Sequence, residues 1–277
     1  MRSSWIQHQY FDGLASQSPE KYMEDYQRRS GSVLAKAACS TDIEYGPHDR
    51  HGFDYFQALG GGSSPTLIFI HGGYWVRGDK SSYAFIAPEW IARGINVINL
   101  NYRLGPHTTI DGINADIALF MRSLMDSQKA LNVDLDELVV CGHSAGAYLA
   151  AILSGTSPTP LKGACLISGL YDLRPLLGTH IGDEIGLKND NIIALSPVLR
   201  ELSPTPTSFF FGKQDTDAFK SQTQAFVNLR CANGFEASCL ELAKDNHFSI
   251  INGIAALESP IGRAILSLFN RESADRD

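Results

Sequence analysis

Glu137-Leu138-Val139-Val140-Cys141-Gly142-His143-Ser144-Ala145-Gly146-Ala147-Tyr148-Leu149-Ala150-Ala151-Ile152-Leu153 is an apolar run, a glycine-bounded pentapeptide and a run of small and apolar residues. It reads as strand, sharp turn and helix, with Ser144 at the apex of the turn. Such a turn strains the serine backbone, and Gly142 and Gly146, two positions to either side, relieve the crowding. The serine oxygen then projects at the N-terminus of a helix, where backbone N–H groups favour a developing anion. Ser144 is therefore a candidate nucleophile.

Outward from this turn, short apolar runs alternate with helical patterns. Upstream, Thr41–Tyr45 and Phe53–Leu59 read as an opening antiparallel pair, Thr66–Ile70 and Ile95–Leu100 as buried strands, and Ser81–Arg93 and Ile110–Leu131 as helices. Downstream come strands Ala164–Ser168, Thr207–Phe211 and Glu236–Leu240, and helices Ala218–Ala232 and Ala256–Phe269. This alternation predicts an α/β fold: a mostly parallel central sheet of about eight strands flanked by helices. Right-handed crossovers place the functional loops at the carboxyl ends of the strands. No repeat, linker or composition break follows residue 40, so one domain over residues 1–277 is expected. Residues 1–40 carry Trp5, Tyr10, Phe11, Tyr22 and Tyr26, with a helix over Pro19–Ala38 expected to break near Ser30-Gly31-Ser32. This aromatic-rich segment could cap the site or only pack on the body.

The 277 residues are enough to bury a large core without disulfides or metal. A net charge of −7 argues against a nucleic-acid or anionic-membrane partner. Nothing in the sequence approaches the roughly 18 apolar residues of a membrane span, and Met1–Asp12 lacks the apolar core of a signal peptide. Five cysteines, an odd number with no C-x-x-C pair, fit a reducing, cytoplasmic compartment. His48-x-x-His51 has no third ligand nearby and Gly60-Gly61-Gly62 lacks the lysine of a phosphate loop, so neither a metal nor a phosphate site is expected.

A serine hydroxyl needs a histidine to accept its proton, and the histidine needs an acid to fix its tautomer. For a nucleophile on this kind of turn the chain order is serine, acid, histidine. Of the two downstream histidines, His180 lies between strands, whereas His247 follows the last one and is the expected base. The acid belongs after strand Thr207–Phe211, where Asp215 and Asp217 both qualify; Asp215 is favoured, with Asp217 expected to cap the following helix. The oxyanion needs backbone donors, expected from Ala145 and from Gly72 and Gly73 in the loop after Thr66–Ile70, with His71 bracing that loop.

His71-Gly72-Gly73-Tyr74-Trp75 followed by Asp79-Lys80, the G-H-S-A-G of Gly142–Gly146, Asn101-Tyr102-Arg103-Leu104, Gly169–Pro175, Leu195-Ser196-Pro197 and Asn246-His247-Phe248 together resemble kynurenine formamidases (arylformamidases). The resemblance covers roughly residues 65–250 and is weaker over the first 40. It implies the α/β-hydrolase fold, no cofactor, and hydrolysis of N-formyl-kynurenine to kynurenine and formate. The aryl group would stack against Tyr74, Trp75 or the N-terminal aromatics. The partner implied is a small-molecule aryl amide or ester, and a homodimer is left open. Two alternatives stand beside this reading: a carboxylesterase for short aryl or alkyl esters, and a catalytically inactive hydrolase fold that serves as a binding protein.

Overall fold

The computed structural model describes residues 2–36, 39–200 and 203–271. Eight strands form one sheet: β1 (Cys39–Glu44), β2 (Gly52–Phe56), β3 (Ser64–Ile70), β4 (Asn96–Leu100), β5 (Val133–His143), β6 (Gly163–Ile167), β7 (Thr207–Gly212) and β8 (Ala237–Leu242). Their order is β1-β2-β4-β3-β5-β6-β7-β8. The first two strands run antiparallel and β3 to β8 are parallel.

Strand residues alternate between faces, and here both faces are apolar. Ile68, Ile70, Ile98, Leu100, Val140, Leu166 and Phe209 enter one core with Ile113, Ile117, Phe120 and Leu124 of helix Ile110–Ser127. Leu67, Phe69, Val97, Val139, Cys141, Cys165, Ile167 and Phe210 enter a second core with Trp90, Ile261 and Ile265. Such a sheet must be covered by helices on both sides, and helices are what it has. All five cysteines are free, with Cys141 and Cys165 opposite one another and buried between β5 and β6. Among the described residues no helix is long and apolar enough to cross a membrane.

Local chemistry explains where elements depart from the sequence reading. The stretch read as one helix over Ser81–Arg93 is a 3-10 turn, Lys80–Ile86, and then an α-helix, Ala87–Ala92. Pro88 supplies no N–H in the first turn of the second, so the two ladders do not join. Likewise the last α-helix begins at Pro260 rather than Ala256, with Ser259 Oγ accepting the Gly262 N–H at 2.8 Å. The N-terminal helix Pro19–Leu34 runs unbroken through Ser30-Gly31-Ser32. Tertiary contacts override the weak propensity there: Ser30 is buried with its Oγ accepting from the Phe85 N–H, and Tyr26 stacks on Phe85 at 4.8 Å. The end of the expected helix, Ala38, lies outside the described residues.

Candidate active site

Five strand ends converge on the site: β3 runs into His71-Gly72, β5 into Ser144, β6 into Ser168, β7 into Asp215 and β8 into His247. Ser144 sits between β5 and helix Ala145–Thr156 with φ 56° and ψ −120°. That left-handed backbone is unfavourable for a side-chain-bearing residue and persists where its surroundings over-determine it. The flanking glycines are required by backbone, not by side chains. A Cβ on Gly142 would lie 2.2 Å from the Gly146 carbonyl oxygen, and one on Gly146 would lie 2.0 Å from that of Ile70. The Ser144 N–H donates to the Ile167 carbonyl at 2.8 Å, which extends the β5–β6 ladder to the apex itself.

Asp215 and His247 meet in the interior, with 4% and 2% of their surfaces exposed. Asp215 Oδ1 lies 2.7 Å from His247 Nδ1, and a carboxylate can only accept, so Nδ1 carries the proton. Oδ2 accepts from Ser168 Oγ at 2.7 Å and from the Gly212 N–H at 2.9 Å. Burial alone would raise the Asp215 pKa, but the His247 charge and these hydrogen bonds outweigh it and hold the carboxyl below its ordinary range. Nδ1 being committed, Nε2 is the nitrogen left to accept a proton. Among the described residues neither His247 Nε2 nor Ser144 Oγ has a hydrogen-bond partner.

His247 is held from its backbone too. His143 Nε2 donates to the His247 carbonyl at 2.7 Å. Burial and the neighbouring His247 pull the His143 pKa down to about 3, so the ring is neutral with its one proton on Nε2. Phe219 and Phe248 pack edge-on against the His247 ring at 4.6 and 5.3 Å.

The loop after β3 stands directly over Ser144. A Cβ on Gly72 would lie 3.1 Å from Ser144 Cβ and 2.9 Å from the His143 carbonyl oxygen. Gly73 has φ 116°, and a Cβ there would lie 2.2 Å from the Arg77 carbonyl oxygen. Among the described residues the amides of Gly72, Gly73 and Ala145 donate to no protein acceptor. His71 braces the loop: its Nδ1 donates to the Gly72 carbonyl at 2.7 Å, and Tyr102 Oη donates to the His71 carbonyl at 2.8 Å. Behind it, Asn101 accepts the Lys80 N–H with Oδ1 and donates to Asp79 Oδ2, both at 2.8 Å, which gives the Asp79-Lys80 pair a structural part in holding the loop.

Tyr74 and Trp75 are both left-handed, φ 53° and 60°. Trp75 is wholly buried, edge-on to Tyr148 at 5.2 Å, so it offers no open ring face on which an aryl group could stack. Tyr74 is 6% exposed and donates from Oη to the Tyr10 carbonyl. The aromatic ring nearer the surface is Phe11, which sits against Tyr74 at 5.6 Å and His180 at 4.7 Å. Asp217 is the first residue of helix Asp217–Ala232 and exposed, and its side chain does not cap it. The capping oxygen comes from Gln9, whose Oε1 accepts the Ala218 N–H at 3.0 Å.

Sequence reasoning missed Ser168 and His143. Each had a signal: a polar residue at the carboxyl end of a buried central strand, and a histidine next to the nucleophile.

A family model described as BD-FAE matches residues 55–173. The chain is 26% identical to kynurenine formamidase of Danio rerio over 258 residues, 88% of this chain and 87% of that protein. It is also 26% identical to kynurenine formamidase of Drosophila melanogaster, over 74% of this chain and 73% of that one. Among solved structures, a candidate thioesterase from Silicibacter sp. TM1040 superposes with a TM-score of 0.79 at 27% identity, covering 94% of this chain and 96% of that chain. An esterase of Pyrobaculum calidifontis, at 17% identity and a TM-score of 0.73 over 96% of each chain, shares the fold. The chain thus has the α/β-hydrolase fold and is similar in sequence to kynurenine formamidases over most of its length.

Proposed function

We propose that the chain is a serine hydrolase that cleaves a small acyl group, most simply formyl, from an aryl amide, with N-formyl-kynurenine as its substrate. The observation that carries this reading is the buried Asp215–His247 pair, 2.7 Å apart, beside a strained Ser144 and three uncommitted backbone amides. The similarity to kynurenine formamidases over most of both chains supports the substrate.

Ser144 Oγ attacks the formyl carbon as its proton passes to His247 Nε2. Asp215 keeps the Nδ1 proton in place and stabilises the imidazolium. The amides of Gly72, Gly73 and Ala145 receive the oxyanion, at no cost of reorganisation because they are already unpaired. Collapse of the intermediate breaks the C–N bond, and His247 returns the proton to the departing anilide nitrogen. Water, deprotonated by the same histidine, then attacks the formyl ester; formate leaves and Ser144 recovers its proton. Phe11, with Tyr74 behind it, supplies the aromatic surface for the aryl group.

Purified protein should turn over N-formyl-kynurenine, and Ser144→Ala should not. Activity of the parent no higher than that of Ser144→Ala would sink the reading. A carboxylesterase acting on short esters is the second reading, favoured by 27% identity to esterase LipQ of Mycobacterium tuberculosis over 76% of this chain. The ratio of kcat/KM for N-formyl-kynurenine to that for p-nitrophenyl acetate separates the two, since it reports differential transition-state binding.

A further inference from the structure

The loops that carry Asp215 and His247 are joined from outside by one side chain of the N-terminal segment. Gln17 Oε1 accepts the His247 backbone N–H at 3.0 Å, and Gln17 Nε2 donates to the carbonyl of Gln214, the residue before the acid, at 2.9 Å. The base is thereby fixed at three points: its N–H by Gln17, its carbonyl by His143 and its ring by Asp215.

Gln17 belongs to a larger contact face. Gln9 and Gly13 lie on a helical stretch, His8–Asp12 and Gly13–Ala15, and Gln17 lies in the turn that follows; all three meet the loops that carry Asp215 and His247. Thr216 Oγ1 donates to the Gln9 carbonyl at 2.7 Å, while Gln9 Oε1 caps the helix that begins just after the acid. At Gly13 a Cβ would lie 2.7 Å from Thr216 Cγ2, so only glycine lets the segment sit this close to Asp215. Ser18 follows with φ 55° and ψ 59°, a left-handed kink that turns the chain into helix Pro19–Leu34 and leaves Gln17 facing both loops.

We propose that Gln17 is a positioning residue: its amide sets the spacing between the acid and base loops and so aligns the Asp215–His247 pair. The inference rests on the serine-hydrolase reading above. A carboxamide suits the task because it accepts at one end and donates at the other, matching one backbone N–H and one backbone carbonyl. On this account the segment from Gln9 to Gln17 holds the parts of the site in register.

The test compares Gln17→Met, which keeps the volume and removes both hydrogen bonds, with Gln17→Glu, which keeps the acceptor for His247 and loses the donor. With p-nitrophenyl acetate, Gln17→Met is expected to lower kcat by roughly 10- to 100-fold, since misplacement on the order of 1 Å suffices for that, and to leave KM and Tm near the parent values. The Gln17→Glu charge beside His247 is expected to move the acid limb of kcat up by about one pH unit. The low-field proton resonance of His247 Nδ1–H, recorded on protein without substrate, should shift or broaden in Gln17→Met. This last readout needs no turnover, so if the parent lacks Ser144-dependent activity, the serine-hydrolase reading falls while the resonance still decides the clamp. Gln17→Met with parental kcat, a loss confined to KM, or an unchanged resonance overturns the inference.

Discussion

Asp215→Asn isolates the tautomer of His247 from the geometry around it. In the parent, Asp215 Oδ2 accepts from the Gly212 N–H at 2.9 Å and from Ser168 Oγ at 2.7 Å, while Oδ1 faces His247 Nδ1 at 2.7 Å. A backbone N–H cannot turn round, so the asparagine oxygen must take the Oδ2 place and its NH2 group the Oδ1 place. The NH2 group then donates to Nδ1, and the imidazole moves its proton to Nε2. An Nε2–H cannot accept the Ser144 proton. The substitution changes neither volume nor the two contacts at Oδ2, yet it disables the base; the loss expected is about 10⁴-fold in kcat, the effect of the equivalent change in a well-studied triad. The assay is steady-state turnover of N-formyl-kynurenine and p-nitrophenyl acetate, with Tm as the control for folding. Asp217→Asn, at an exposed first-turn position, should stay within about twofold of the parent, as surface substitutions generally do. A folded Asp215→Asn within tenfold of the parent, or an equal loss in Asp217→Asn, would refute the assignment of the acid.

Ser168→Ala removes one of the two anchors of Asp215 Oδ2 and leaves the Gly212 N–H, so kcat measured on the same substrates should fall by only about threefold to tenfold, the value of one net hydrogen bond. Gly73→Ala places a Cβ 2.2 Å from the Arg77 carbonyl oxygen at φ 116° and must displace the loop; kcat should drop by about 10²- to 10³-fold, as for loss of an oxyanion donor, and parental kcat would count against this loop as the oxyanion site. His143 is a base whose folded pKa, about 3, lies below its ordinary 6.5 because of burial and of His247. The unfolded chain therefore binds the extra proton first, and stability is fully present above pH 6.5 and falls as pH falls towards 3. Between pH 6.5 and pH 5 this group alone contributes a loss of about 2 kcal/mol. Denaturant unfolding at both pH values should show a smaller loss in His143→Gln than in the parent; equal losses would mean that His143 is not held neutral.

The legible parts of the site are those whose determinants lie within a few residues of one another. Ser144 could be read because its pattern spans five residues, with Gly142 kept small by the Gly146 carbonyl of the same turn, although Gly146 is kept small by the Ile70 carbonyl on β3. Asp215 and His247 could be read because each follows its own strand by a few residues, and the fold fixes which strand ends are neighbours. Trp75 could not be placed, because its burial depends on Tyr148, a residue on a different element. The helix over Ser30-Gly31-Ser32 misled for the same reason: its continuity is decided by Phe85, not by local propensity. The cap of helix Asp217–Ala232 was sought in Asp217, the adjacent residue, and comes instead from Gln9. Gln17 carries this furthest, with partners 197 and 230 residues away and no pattern around it that marks it out. A polar side chain that bridges two remote loops has no sequence period, because its spacing is set by where the loops end in space. The candidate triad is thus written locally, whereas the contacts that hold Asp215 and His247 in place from outside appear only once the chain is folded.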